Sequence, residues 1–254
     1  MADLMNALYR RPRHFGRVDR QFTDFDNEEV CRRYRFSNDN IDRLVDLLTD
    51  RLKRPTQNSL TVLQQVMIAL RFYASGAFLQ VIGDTFGVDI ATVSRRVTDV
   101  TNALFDLRDR AIKFPTEAAD LQAAKSAVYA RTNFPSVVGC IDGTHIHIQS
   151  PGGLDEGAYV NRKRRHSINV QASCDHRVFI TSISARLPGS CHDAHVWRTS
   201  SICKHMEVNH QGNGSEERFD KAHVKTRNII EIVFGEWKRK FHVLHGEKYK
   251  ISYA

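Results

Sequence analysis

Cysteine is scarce and unpatterned in this chain. Cys31, Cys140, Cys174, Cys191 and Cys203 stand singly, with no CxxC pair among them. An odd, scattered set argues against a disulfide framework and against a thiolate zinc site, and it implies a reduced, intracellular setting. Long apolar runs are also missing. No segment approaches the roughly 20 apolar residues that cross a bilayer, and MADLMNALYRRPRHF lacks the apolar centre of a secretory leader. The sequence holds no Walker loop, no G-x-S-x-G elbow, no dinucleotide fingerprint and no internal repeat. These absences exclude several large enzyme classes and leave a non-membrane protein.

What is present is positive charge. The 254 residues carry a formal net charge of +8, with 41% hydrophobic and 26% charged residues. That is ordinary globular composition with a basic excess, which favours a polyanionic partner, DNA first. The run NRKRRH at 161–166 concentrates the charge. It suits a phosphate contact or a nuclear-localisation patch, and a plain solvated loop fits it about as well.

The first half reads as helical. In FSNDNIDRLVDLLTDRL (36–52), Ile41, Leu44, Val45, Leu48 and Leu52 form one stripe, with Ser37 and Asn38 available as caps. LTVLQQVMIALRFYASG (60–76) is a second amphipathic helix that ends on Gly76. The segment 78–107 gives a helix, a turn at Gly87 and another helix. Val81, Ile82 and Phe86 are expected inward from the first, and Ile90, Val93, Val97 and Val100 from the second. This is a helix-turn-helix-like pattern whose outward residues would be Thr92, Ser94, Arg95, Arg96 and Asp99. A plain helical hairpin fits equally well. LQAAKSAVYARTNFP (121–135) is one more helix, stopped before Pro135.

Composition then changes. VVGCID, HIHIQ, HSINVQASCD and VFITSISARLPG are short apolar or alternating runs, hence strands. Helical spacing returns in HDAHVWRTSSICKHMEV (192–208) and in AHVKTRNIIEIVFGEWKRKF (222–241), separated by the polar VNHQGNGSEERFD (208–220). The expectation is an α+β protein: residues 1–134 all-α, with the helix-turn-helix-like hairpin at 78–107, and residues 135–254 an α/β domain.

Three acids suit metal-dependent phosphoryl chemistry, in which carboxylates from separate elements hold hard divalent ions. Asp142 closes an apolar run and precedes Gly143; a type I′ hairpin turn explains that dipeptide too. Asp193 opens a helix, where an acid also suits the helix dipole. Glu231 flanks the apolar stripe of the last helix, where pairing with Arg227 would explain it. Histidine is a rival set: His145 and His147 share a strand face, and His192 and His195 are three apart on a helix, but no zinc fingerprint accompanies them.

Taken in order, GCIDGTHIHIQSP, YVNRKRRHSINVQASCD, LPGSCHDAHVWRTS and FDKAHVKTRNIIEIVFGEWKRKFHVL resemble the Harbinger (PIF) transposase superfamily, and most of all its domesticated, transposase-derived nucleases of animals. RPTQNSLTVLQQVMIALRFYASGAF and the hairpin after it resemble the N-terminal region of the same family, so the likeness runs from about residue 30 to 245. The resemblance implies an RNase H-like catalytic domain of the DDE type that hydrolyses DNA phosphodiester bonds. It also implies dependence on Mg²⁺ or Mn²⁺, work in the nucleus with the cytoplasm also open, a Myb-like DNA-binding protein as partner, and an oligomer as an option. It assigns Asp142 and Glu231 as catalytic acids, and Asp142, Asp193 and Glu231 as metal ligands, so that Asp142 is a ligand as well as a turn residue. Arg162, Lys163, Arg164 and Arg165 would meet phosphates, with Arg95 and Arg96 from the helical region. One departure stands out. The family's second catalytic aspartate, in a GDSGY-like strand, has no counterpart in 208–220, so one central strand is expected to be missing and the last helix cut short after Tyr253. The alternative is a non-catalytic nuclear DNA-binding or adaptor protein.

Overall fold

The computed structural model describes residues 25–53, 60–133, 135–200, 203 and 217–245. The chain divides into two compact units, one of Met1–Phe72 with Ala77–Ala103, the other of Tyr73–Gly76 with Leu104–Ala254.

The first unit is helical. Helix α1 (Asn27–Tyr34) starts where Asp26 accepts from Glu29 N at 2.7 Å and stops at Arg35, in the left-handed region. Helix α2 (Asn38–Leu52) is capped by Ser37, as its sequence predicts, and buries Ile41, Leu48 and Leu52. Helix α3 (Val62–Ser75) buries Val66 through Leu70 without interruption, so it is enclosed on nearly every side. Its one buried polar side chain, Gln65, ties the unit together. Nε2 donates to Leu52 O and Leu60 O, at 3.2 and 3.0 Å, and Oε1 accepts from Arg96 at 3.1 Å.

Helices α4 (Leu79–Phe86) and α5 (Ile90–Asp106) form the expected hairpin, turning at Gly87 with φ 63°. The turn is tight: a Cβ on Gly83 would stand 2.6 Å from Val88 O. Ile82, Phe86, Val93 and Val100 are buried as expected, but Val81 and Ile90 are 52% and 42% exposed. The largest correction concerns Arg96. It was expected to face outward, and it is buried, bonded to Gln65 and ion-paired with Asp99 at 3.0 Å. The i, i+3 pairing with Asp99 and the buried Gln65 carbonyl together draw the guanidinium inward. Arg95 stays exposed.

In the second unit, α6 (Arg108–Ala111) and α7 (Ala118–Thr132) precede an antiparallel sheet in the order β1 (Cys140–His147), β2 (Ser167–Cys174), β3 (Ile180–Pro188). The protein is thus mixed α+β, a helical region followed by a three-stranded antiparallel sheet with helices. Strand β1 runs straight through Asp142-Gly143, in unbroken register with β2, so the expected turn is not there. Eight consecutive strand pairs outweigh the local turn preference of an Asp-Gly dipeptide. Helix α8 spans only Asp193–Thr199, and most of the expected remainder to 208 lies outside the described residues. Helix α9 spans Glu217–Lys240, longer at its start than the pattern indicated. The segment 208–216, where the missing strand was expected, also lies outside the described residues. Ile229, Ile230, Val233 and Phe234 of α9 pack on Cys140, Ala172 and Cys174, and that contact fixes α9 along one face of the sheet.

Candidate active site

Antiparallel pairing decides which way each group of β1 points. Ile148 N donates to His166 O at 3.0 Å, and the register with β2 is regular from Cys140 to His147. Even-numbered residues of β1 therefore bond to β2, while the N–H and C=O of Ile141, Gly143, His145 and His147 point to the other edge. Among the described residues no strand pairs with that edge. Side chains alternate as well. Asp142 and Thr144 share the face of Cys140, towards α9, and Gly143 and His145 share the opposite face.

At this edge Asp142 Oδ1 accepts the N–H of Gly143 at 2.8 Å. Asp193 arrives from the other face. It opens α8 after the turn at Gly189, where Cys191 N donates to Pro188 O at 3.0 Å. A Cβ on Gly189 would collide with Ser167, so only glycine allows the turn to approach β2 so closely. The Asp193 carboxylate then lies directly against Gly143, with Oδ1 2.6 Å from where a Cβ would stand. Two carboxylates from separate elements thus border one glycine.

Asn169 holds the second of them. Its Nδ2 donates to Asp193 Oδ1 at 2.9 Å and to Cys191 O at 3.0 Å. Its own Oδ1 is buried, has no partner among the described residues, and lies 3.3 Å from the same Cβ position on Gly143. A buried carbonyl oxygen beside a carboxylate is a donor type that a hard divalent cation accepts. Glu231 is exposed on α9, one residue past the buried Ile230. Among the described residues no three His, Cys, Asp or Glu side chains gather closely enough to hold a metal ion, and that holds for the three acids and for the four histidines alike.

His145 and Lys238 complete the surroundings. His145 Nδ1 lies 3.1 Å from Ser167 Oγ, which also receives Asn161 Nδ2 at 3.0 Å. Burial pushes the imidazole below its ordinary 6.5; Asp193 pulls it up by less, and Arg162, His147 and Lys238 push it further down. His145 is therefore neutral at pH 7. Lys238 donates to Thr144 Oγ1 at 2.7 Å and to His145 O at 3.1 Å, and burial lowers its pKa.

The basic run forms a hairpin tip. Val160 and His166 bridge, Asn161 N donates to Arg165 O at 2.9 Å, and Arg164 N donates to Asn161 O at 2.8 Å, with Arg164 at φ 58°. Buried Asn161 braces it from within, Oδ1 accepting from Lys163 N and Arg165 N at 2.9 and 3.2 Å. Arg162, Lys163, Arg164 and Arg165 are all exposed, and Arg162 is near enough to bear on His145. Arg96, buried in the other unit, leaves the DNA-facing set.

Asn169, Ser167 and Lys238 were not expected as site residues. Ser167, Asn169, Gln171 and Ser173 alternate with apolar residues along β2, a pattern that ordinarily marks a solvent face, yet every one of them is buried. A strand whose polar face is covered was the available signal.

A family model described as DDE superfamily endonuclease matches residues 141–214, a span that takes in Asp142, the basic tip and Asp193 but stops before Glu231. "Putative nuclease HARBI1" of Homo sapiens is 34% identical over 257 aligned positions, 91% of this chain and 73% of that protein. The chain belongs to the HARBI1 nuclease family. The Xenopus laevis HARBI1 is 30% identical over 91% of this chain and 74% of its own length. "Protein ALP1-like" of Arabidopsis thaliana, at 29% identity, covers 63% of this chain and 39% of that protein. No solved structure matches. Family membership bears out the resemblance read from the motifs. No helix among the described residues is long and apolar enough to cross a membrane.

Proposed function

We propose that this HARBI1-family chain is a divalent-metal-dependent DNA nuclease by descent, with residues 135–254 as an RNase H-like DDE domain. The observation that carries the reading is that Asp142 and Asp193 both border Gly143, at the edge of β1 that no described strand covers. Asp142 and Glu231 are the catalytic acids, and Asp193 the third metal carboxylate. All are oxygen donors, as Mg²⁺ or Mn²⁺ requires. A bound ion would activate water and stabilise the departing oxygen.

The chain's own groups do the rest. Arg162, Lys163, Arg164 and Arg165 hold the phosphates of the strand beside His145, and Arg95 is a separate DNA contact of the helical unit. Neutral His145 leaves the site without an added positive charge, and Lys238 fixes the strand that carries Asp142. The chain has no counterpart of the family's second catalytic aspartate, so turnover is low. A nuclear location, a Myb-like protein partner and self-association follow the family and belong to this proposal.

A second reading, a non-catalytic DNA-binding adaptor, draws on the failure of any three ligand-type side chains to cluster among the described residues. Incubation of supercoiled plasmid with Mn²⁺ separates the two. Nicking by the intact chain that disappears in Asp142→Ala supports the nuclease. Equal background from both proteins, with salt-sensitive DNA binding retained, selects the adaptor.

A further inference from the structure

On the buried polar face of β2, three of the four side chains are hydrogen-bonded within the described fold and Gln171 is not. Ser167 bonds to Asn161, Asn169 to Asp193, and Ser173 Oγ to Thr181 Oγ1 at 2.9 Å. Gln171 is 6% exposed, and its amide has no hydrogen-bond partner among the described residues. An amide that faces a cavity and is not engaged by the fold keeps its donors and its acceptor open to a ligand. Gln171 opens into a cavity of about 330 Å³ that Ile141, Ser182, Ser184, Arg186 and Leu187 also line. Arg186 is exposed and has no ion-pair partner among the described residues. The register sets the address: Gln171 is the cross-strand partner of Gly143 on one side and of Ser184 on the other.

We propose that this cavity is a nucleotide subsite, taking one base of the DNA strand beside the Asp142–Asp193 edge, with adenine preferred. The proposal rests on the nuclease reading above and deepens it. A glutamine amide offers one acceptor and two donors in the spacing that pairs with the N6 and N7 of adenine. Ser182 and Ser184 add hydroxyls, Ile141 and Leu187 supply apolar walls for the ring, and Arg186 meets a phosphate as a charge-assisted donor. A cavity near 300 Å³ is at the lower end of small-ligand sites and has room for one nucleotide. A bare anion would not call for a neutral, two-sided amide in the cavity lining.

The test is calorimetric titration of the full chain in metal-free buffer with deoxyadenosine monophosphate, deoxyribose 5-phosphate and inorganic phosphate. The nucleotide is expected to bind at least tenfold more tightly than either phosphate. Gln171→Leu and Arg186→Ala should each weaken it about tenfold or more, while Gln171→Leu melts at the same or a higher temperature. Equal binding of inorganic phosphate, or unchanged nucleotide binding by a folded Gln171→Leu, overturns the subsite. Since no metal or cleavage is involved, nucleotide binding without plasmid nicking would sink the nuclease reading alone, and nicking without nucleotide binding would sink the subsite alone.

Discussion

Lys238 reaches from α9 to the main-chain oxygen of His145, 3.1 Å away, on the edge of β1 that no described strand covers. Two edge groups of that strand are thus occupied by side chains: the His145 carbonyl by Lys238, and the Gly143 N–H by Asp142. An uncovered edge is a template for pairing with other chains, and charged side chains folded onto it block that route. The residue proposed to hold metal and the residue that steadies its strand therefore also protect the sheet.

Lys238→Met should lower stability by about 1.5–3 kcal/mol, the range for a lost hydrogen bond to a charged group, and should promote association. Urea melts and light scattering check both. Burial lowers the Lys238 pKa below 10.5, so the unfolded chain keeps that proton to higher pH. Its contribution to stability accordingly rises with pH through the window that ends at 10.5, and the substitution should flatten that rise.

His145 predicts an acid limb of the same sign. Its folded pKa lies below 6.5, chiefly through burial, so the unfolded state takes up a proton first as pH falls. The stability contributed by neutral His145 is complete above 6.5 and is lost as pH drops through that value towards the folded pKa. His145→Gln should remove this part of the pH dependence while keeping a partner for Ser167. Melting temperatures between pH 5 and 8 provide the check.

Gly143→Ala should separate site geometry from folding. The new Cβ would lie 2.6 Å from Asp193 Oδ1, so the carboxylate has to move. Overpacking of this kind costs about 1–3 kcal/mol. The chain should still fold cooperatively, with Mn²⁺-dependent nicking at least tenfold reduced. Full nicking by the alanine variant would show that Asp193 need not stay where the fold holds it.

The helices of the first unit were legible because burial on one side imposes a 3.6-residue period, and Ser37 and Gly87 mark ends by chemistry that the sequence displays directly. Asp142 and Asp193 were found through ordered motifs, not through periodicity. Local pattern failed where tertiary pairing took over. Asp142-Gly143 reads as a turn until eight strand pairs hold it straight, and Arg96 reads as solvent-facing until Gln65, 31 residues away, offers a buried carbonyl. The polar positions of β2 were misleading for the same reason, since what covers them comes from α8 and the turn before it.

Asn161 is expected to control DNA binding without touching DNA. Its Oδ1 holds Lys163 N and Arg165 N, so Asn161→Ala frees the tip that presents four cations. Each phosphate contact adds about 0.9 to the slope of log affinity against log salt on duplex DNA. Arg162→Ala should lower that slope by about one contact, and Asn161→Ala by more than one, equally on unrelated sequences. Fluorescence anisotropy across a salt series measures this, and an unchanged slope in both variants would place the phosphate grip elsewhere.

Arg95 and Arg96 are neighbours with opposite tasks, and a paired substitution should expose the difference. Arg96 sits in the core of the helical unit, bonded to Gln65 and Asp99, so Arg96→Ala leaves Asp99 and a buried amide oxygen without their cation. Leaving a buried amide oxygen unbonded beside a partly exposed carboxylate costs about 1–3 kcal/mol. Thermal unfolding should show that loss, while DNA affinity measured well below the melting point stays the same. Arg95 is exposed, with its guanidinium resting on Ala91 O at 3.1 Å and within reach of Thr92 Oγ1. Arg95→Ala should leave the melt within about 0.5 kcal/mol of the parent, as surface substitutions do, and weaken DNA binding in a salt-dependent way. Should Arg95→Ala bind DNA as the parent does at every salt concentration, the helical hairpin is a structural element only, and the basic tip at 162–165 carries the interaction by itself.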